Sequence, residues 1–291
     1  MPSDMKDLDK QNLIMLSRDR MAFGGPQVAS HLLLGGYVIY SCVDGDFELT
    51  TVGERKAYSF VAIVPPYTKH SISGPASLRS ILVEAETVAP QILDDPRFVS
   101  GSAAAAALAE LIEAGFARWR DGAFNSNVDS IDLFFFGERL IRRPLDRRIV
   151  RVLSRINGAL DAPPDEVESL AHDVALSPSR LRHLFGEQVG VSIRSYRAWK
   201  RLRNTICLAL RENNLLQLAM AAGYADSTHL CHSVKLYFGE QPTFVWTHWR
   251  KADFLVLDTS EFPAIGAPAN DIVERPGRRR GPTAGWEETG P

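Results

Sequence analysis

Leu216-Gln-Leu-Ala-Met-Ala-Ala-Gly-Tyr-Ala-Asp-Ser-Thr-His-Leu-Cys-His-Ser-Val234 decides the reading of this chain. Leu218-Ala219 marks the inward side of a short helix, Gly223 to Asp226 form a tight turn, and Leu230 and Val234 mark the buried side of a second helix. The pattern occurs twice. Val167-Glu-Ser-Leu-Ala-His-Asp-Val-Ala-Leu-Ser-Pro-Ser-Arg-Leu-Arg-His-Leu-Phe185 repeats it with Leu170-Ala171, a turn at Ala175 to Ser177, then Leu181, Leu184 and Phe185. Leu181 aligns with Leu230, and Phe185 with Val234, at an offset of 49 residues. Small residues at the crossing let two helices meet steeply, as a helix-turn-helix unit requires. Ser177 and either Asp226 or Ser227 suit N-caps, and Pro178 suits a first helical turn.

Between the units, Tyr196, Trp199, Leu202, Ile206 and Leu210 form an apolar stripe from Ser192 onward. Arg194, Arg197, Lys200, Arg201 and Arg203 surround it. One helix of about 19 residues would span roughly 28 Å at ~1.5 Å per residue. Successive major-groove faces lie about 34 Å apart. A rod of that length can hold two recognition helices on one side of a duplex.

Charge points the same way once it is divided. The formal net charge of the chain is −2, but residues 144–250 carry 14 Lys/Arg against 10 Asp/Glu. Residues 1–143 carry 14 against 18. Phosphate binding needs such a local excess, whatever the total. The three cysteines, Cys42, Cys207 and Cys231, have neither metal spacing nor a disulfide framework and fit a reducing cytoplasm. The N-terminus shows no apolar signal core, and no apolar run reaches the ~20 residues of a membrane span.

Upstream, His31-Leu-Leu-Leu, Tyr37-Val-Ile-Tyr, Phe47-Glu-Leu-Thr, Ser59-Phe-Val-Ala-Ile-Val and Leu78-Arg-Ser-Ile-Leu-Val read as strands within residues 28–84. Asp44-Gly45-Asp46 and other turn clusters punctuate them. Helices are expected at 102–120, capped by Ser102, and at 129–143, where Phe134-Phe-Phe136 is either core or a dimer face. The expected domains are 1–143, 144–250 and a disordered tail at 251–291.

Residues 145–250 resemble the DNA-binding domain of the AraC family of transcription regulators. The likeness rests on Ala175-Leu-Ser-Pro-Ser-Arg-Leu-Arg-His-Leu-Phe185, on Gly190 with Tyr196, on Ala222-Gly-Tyr-Ala-Asp-Ser-Thr-His-Leu230, and on Phe238-Gly-Glu-Gln-Pro242. Ala175 stands where a turn glycine is usual, Leu230 and Val234 where phenylalanines are usual, and His232 where arginine is common. Residues 28–84 are similar to the cupin-like sensory domain of such regulators, with Val64-Pro-Pro-Tyr-Thr-Lys-His70 as the matching piece. The implied fold is α+β: an N-terminal cupin-like β-barrel with following helices, then an all-α double helix-turn-helix domain.

The resemblance implies double-stranded DNA as partner, an activator acting with RNA polymerase, a homodimer, and a small-molecule effector. It places base readers at Ser179, Arg182, His183, Ser227, Thr228, Cys231 and His232. Arg182 can pair bidentately with guanine. Arg180 and Arg203 are expected on phosphates, which position without specifying. His172 and His229 are expected to be structural.

For the effector, Arg143-Pro-Leu-Asp-Arg147 resembles one half of a PilZ-type cyclic di-GMP motif. Lys69-His-Ser71-Ile-Ser73-Gly74 resembles the other half, in reversed order and with Lys69 departing from the pattern. Arginines suit that ligand because they pair with phosphate and stack on bases. Two alternatives stay open. One is a cupin-fold metal enzyme using His31 and His70; the other is a constitutive DNA binder whose barrel only dimerises. No catalytic residue, metal or resident cofactor is expected.

Overall fold

In the computed structural model, residues 13–17, 19–25, 28–121, 131–160, 165–209, 212, 214–242, 245 and 252–256 are described. Short apolar and alternating runs build β1 (Leu13–Leu16), β2 (Arg20–Gly24), β3 (Val28–Leu32), β4 (Gly36–Thr51), β5 (Glu54–Val64), β6 (His70–Ser73) and β7 (Arg79–Glu84). With β8 (Asp253–Val256) they join one curled sheet in the order β3-β6-β4-β7-β2-β1-β8, with β5 on β4. The fold is α+β: an N-terminal antiparallel half-barrel followed by helices.

Two strands precede the region read as β from sequence, and the expected turn at Asp44-Gly45-Asp46 lies inside β4. The reason is a bulge. Ser41 pairs with Val61 but Asp46 with Ser59, so three residues are extra on β4. An odd insertion reverses the facing of side chains. Val38, Tyr40 and Cys42 before it and Phe47 and Leu49 after it therefore fill the same inner core.

The outer face of the sheet packs α1 (Ala103–Arg120) and α2 (Ile131–Phe136). Ser102 caps α1 by accepting from Ala105 N at 3.0 Å. Phe134, Phe135 and Phe136 are buried, so the triple phenylalanine is core. The helix expected at 129–143 is shorter than anticipated, because Gly137 follows Phe136 in the left-handed region (φ 72°). The buried Arg20 guanidinium grips Asp132 at 2.7 and 3.0 Å and so ties β2 to α2.

Beyond an extended segment come α3 (Arg147–Asn157), α4 (Val167–Asp173), α5 (Pro178–Val189), α6 (Ile193–Leu208), α7 (Leu215–Ala221) and α8 (Ser227–Phe238). The reading of 251–291 as a disordered tail is corrected for four residues. Asp253–Val256 form β8, which pairs in parallel with β1. The open edge of β1 provides the unpaired backbone groups that order this segment. Apart from Ala252, the rest of the tail lies outside the described residues.

Helix α6 is the rod, at 16 residues or about 24 Å. Rather than standing free, it lies against the sheet. Trp199 packs directly on Gly35, where a Cβ would fall 2.2 Å from the indole Cγ. The Trp199 indole N–H donates to Glu84 at 3.0 Å. Lys200 Nζ lies 2.9 Å from Glu84 and 2.6 Å from Glu86, and Arg203 Nε lies 2.9 Å from Glu84. Tyr196 donates to Glu86 at 3.0 Å. Burial pushes the Glu86 carboxyl up, but the Lys200 ammonium, a backbone hydrogen bond and the Tyr196 hydroxyl together outweigh it and hold the group below its ordinary value.

Candidate nucleic-acid interface

Each helix pair ends its first helix in the same way. Ala175 N donates to His172 O (3.1 Å) and Leu176 N to Ala171 O (2.9 Å); Gly223 N donates to Met220 O (3.0 Å) and Tyr224 N to Ala219 O (2.8 Å). This double bond pattern closes a helix through one left-handed residue. That residue is Gly223 (φ 74°) in the second unit and Ala175 (φ 51°) in the first. Ala175 therefore holds the glycine conformation at a cost of about 1–2 kcal/mol.

The recognition helices are then launched by caps. Ser177 Oγ accepts from Arg180 N (3.2 Å), with Pro178 opening α5. Asp226, rather than Ser227, caps α8 by accepting from His229 N (2.7 Å). The repeat is offset by 48 residues through Leu170/Leu218 and by 49 from Ser177/Asp226 onward, so the second turn carries one extra residue.

Leu181, Leu184 and Phe185 in α5, and Leu230 and Val234 in α8, are buried. Opposite them, Ser179, Arg180, Arg182 and His183 are exposed, as are Thr228 and His232, with Ser227 and Cys231 half-exposed. Arg182 reaches Glu168 at 3.2 Å, but both side chains are more than half exposed, so that pair holds it weakly. His183 lies 3.7 Å from Glu187. Burial pushes the Cys231 thiol up, so the group stays protonated near neutral pH. His229 is exposed and packs its ring edge-on to Tyr224, with centroids 5.2 Å apart.

Arg203 requires correction. It is buried, ion-paired with Glu84, and donates to the carbonyls of Ser17 and Arg20 at 2.6 and 2.7 Å. A guanidinium enclosed under the sheet is not on the surface that would meet a phosphate. The sequence did not reveal this because Arg203 sits among arginines that do face outward. The pairing of Lys200 with Glu84 and Glu86 leaves no mark in the sequence for a different reason: it spans more than a hundred residues of chain.

The residues read as a cyclic di-GMP site are not brought together. Ser71 and Ser73 pair with Thr50 and Glu48 at the far end of β4, and Ser71 Oγ accepts from His31 N at 3.2 Å. Arg143 reaches Tyr37 at the near end of β4 (3.4 Å) and donates to Val88 O and Gln188 O at 3.1 and 2.7 Å. Arg147 is exposed at the start of α3, Lys69 is exposed before β6, and Gly74 follows it half-buried. Arg143 is thus a strut between the sheet and the C-terminal helices.

His31 and His70 do not form a metal pair. His31 is exposed, whereas His70 is buried, 2.8 Å from Tyr40 OH through Nε2 and 2.8 Å from Thr68 O through Nδ1. The carbonyl requires the proton on Nδ1, so Nε2 accepts from Tyr40. Burial pulls the His70 pKa down.

Comparison with known proteins agrees with this geometry. Residues 170–246 match a family model described as a helix-turn-helix domain. The arabinose operon regulatory proteins of Escherichia coli K12 and Salmonella typhimurium are each 29% identical over 101 residues, 34% of this chain. The match spans only 35% and 36% of the length of those relatives. Among solved structures, ToxT from Vibrio cholerae O395 aligns over 79% of this chain and 96% of its own, with 11% identity and TM-score 0.47. The DNA-binding domain of AdpA, solved with a target DNA, aligns over 36% and 95%, with 16% identity and TM-score 0.34. The C-terminal part of the chain is a double helix-turn-helix domain. It is similar to the corresponding part of the arabinose operon regulatory proteins.

Proposed function

We propose that this protein is a sequence-specific transcription regulator that binds double-stranded DNA through α5 and α8. One observation carries the reading: two helices with buried apolar faces and exposed polar faces leave matching turns and are joined by a single helix, α6. Each presents the residue types that read base edges, with Arg182 the strongest reader through a bidentate contact to guanine. No helix among the described residues is long and apolar enough to cross a membrane, in keeping with a cytoplasmic regulator rather than an anchored one.

The half-barrel acts as the sensory and dimerising part, and a small-molecule effector shifts the balance between arrangements by binding one of them better. The burial of α6 against β7 supports this gating, since a change in the sheet is passed to the rod. The family resemblance of the C-terminal sequence favours an activator that works with RNA polymerase. The His70 pairing speaks for a regulator over a cupin-fold metal enzyme.

Selection of duplexes from a random pool, followed by gel-shift competition, tests the reading. Arg182→Ala should weaken binding to the selected duplex by about 1–3 kcal/mol and relax the preference at one or two base pairs. Failure of the purified protein to enrich any sequence would refute the proposal. A calorimetric screen of metabolites, cyclic di-GMP included, separates an effector-gated regulator from a constitutive one.

A further inference from the structure

The α6 face turned away from the sheet carries a feature that base reading leaves unused. A crevice of about 20 Å³ is lined by Arg155, Ile156, Leu160, Asp165, Arg197 and Arg201. It has room for one water-sized group and none for a nucleotide. Arg155 is neutralised by its neighbours: it donates to Asp165 at 2.8 and 3.0 Å and pairs with Asp173. Arg197 is different. It is half-buried, and its guanidinium makes no hydrogen bond or ion pair with a described residue. Burial, opposed by Asp165 and reinforced by Arg201 and Arg155, draws its pKa below the ordinary arginine value. An anionic oxygen in the crevice would relieve that penalty.

Position identifies the anion. Asp173, the partner of Arg155, is the last residue of α4, just before the turn into α5. Arg201 donates to Leu160 O at 3.3 Å, and its guanidinium carbon lies 5.8 Å from the ring centre of Tyr224. Tyr224 is in the turn into α8 and packs against His229 in the first turn of that helix. The crevice is therefore tied, through Arg155 and Arg201, to the two turns that launch the recognition helices. We propose that it is a phosphate site in which Arg197, flanked by Arg201, holds a backbone phosphate of the duplex where the DNA passes from one head to the other. This inference rests on the DNA-binding reading above. It also reassigns to Arg197 the phosphate role that Arg203, enclosed under the sheet, does not fill.

Salt dependence distinguishes the outcomes. With the full chain and its selected duplex, Arg197→Gln should reduce the slope of log K against log salt by about 0.9, the signature of one lost phosphate contact. Affinity should fall about tenfold and by the same factor for selected and random duplexes, because a phosphate contact carries no sequence information. Arg197→Lys should restore most of the slope. Methylphosphonate substitution of the phosphates between the two half-sites should weaken wild type but not Arg197→Gln. Circular dichroism and the melting temperature confirm that each variant is folded.

An unchanged slope in a folded Arg197→Gln protein overturns the proposal. So does binding of inorganic phosphate that requires Arg197 but leaves the affinity for the duplex unchanged at constant ionic strength, which would assign the crevice to a free anion. If wild type selects no duplex at all, the DNA-binding reading itself has failed. If wild type selects DNA and the slope does not move, only the phosphate site has failed.

Discussion

The two helix-turn-helix units look alike in sequence but are mounted differently. The first closes its own core: Ile149, Val152, Leu153 and Ile156 of α3 pack with Leu170, Leu181, Phe185 and Tyr196, and among the described residues no strand residue joins them. The second has no such closure. Leu218, Ala222, Leu230, Val234 and Tyr237 share one cluster with Leu32, Leu34, Val38 and Tyr40 of the sheet. Leu33 N even donates to Tyr237 O, at the end of α8, at 2.9 Å. The first head is thus close to an autonomous module, and the second is an extension of the half-barrel. A perturbation of the sheet reaches the second head through packed side chains and reaches the first only through α6 and the Arg143 strut.

The largest effect should come from the ions beneath α6. Glu84→Ala leaves Lys200 and Arg203 facing each other under the sheet without their shared carboxylate. Breaking a buried pair by removing one partner costs about 3–5 kcal/mol. Amide hydrogen exchange should show protection falling across α7, α8 and β7 while α3 to α5 keep theirs. Uniform loss over both heads would mean that the first head is not independent.

A matched pair of cavities gives the next effect. Leu181 and Leu230 are both fully buried, and truncating each to alanine should cost about 2–5 kcal/mol. Leu230→Ala should also loosen β3 and β4, whereas Leu181→Ala should leave the sheet untouched. Equal loosening of the sheet by both variants would erase the distinction between the heads.

The smallest effect lies in the turns. Ala175→Gly should stabilise the first head by about 0.5–1 kcal/mol, because relief of the left-handed strain exceeds the entropy that glycine adds to the unfolded chain. Denaturant titration of the isolated 144–209 region and of the full chain checks both this value and the autonomy of that head. A loss of stability would show that the Ala175 methyl makes a compensating contact.

Much of the interface was legible because local rules write it. The repeat, the Ser177 cap, Pro178 at the first turn, the exposed Arg182 and the buried Leu181 and Leu230 all follow from helical periodicity and capping within a dozen residues. The capped helix from Ala103 was legible for the same reason. The β4 bulge was not, because Asp44-Gly45-Asp46 has the composition of a hairpin turn and only pairing with β5 on either side of the bulge keeps the strand continuous. Strand β8 was equally hidden. Four residues of no marked pattern become a strand only because β1 offers them an open edge.

What the chain determined alone is therefore the double helix-turn-helix and its outward polar faces, since these depend on contacts three or four residues apart. What tertiary structure decided is which arginines of α6 can meet DNA. Along that helix Arg197, Arg201 and Arg203 are chemically identical. Glu84, some 115 residues from the tryptophan beside them, pulls Arg203 under the sheet and leaves the other two facing the crevice. Partners that far apart in sequence are chosen by the packing of the half-barrel against the rod, and no local pattern records that choice.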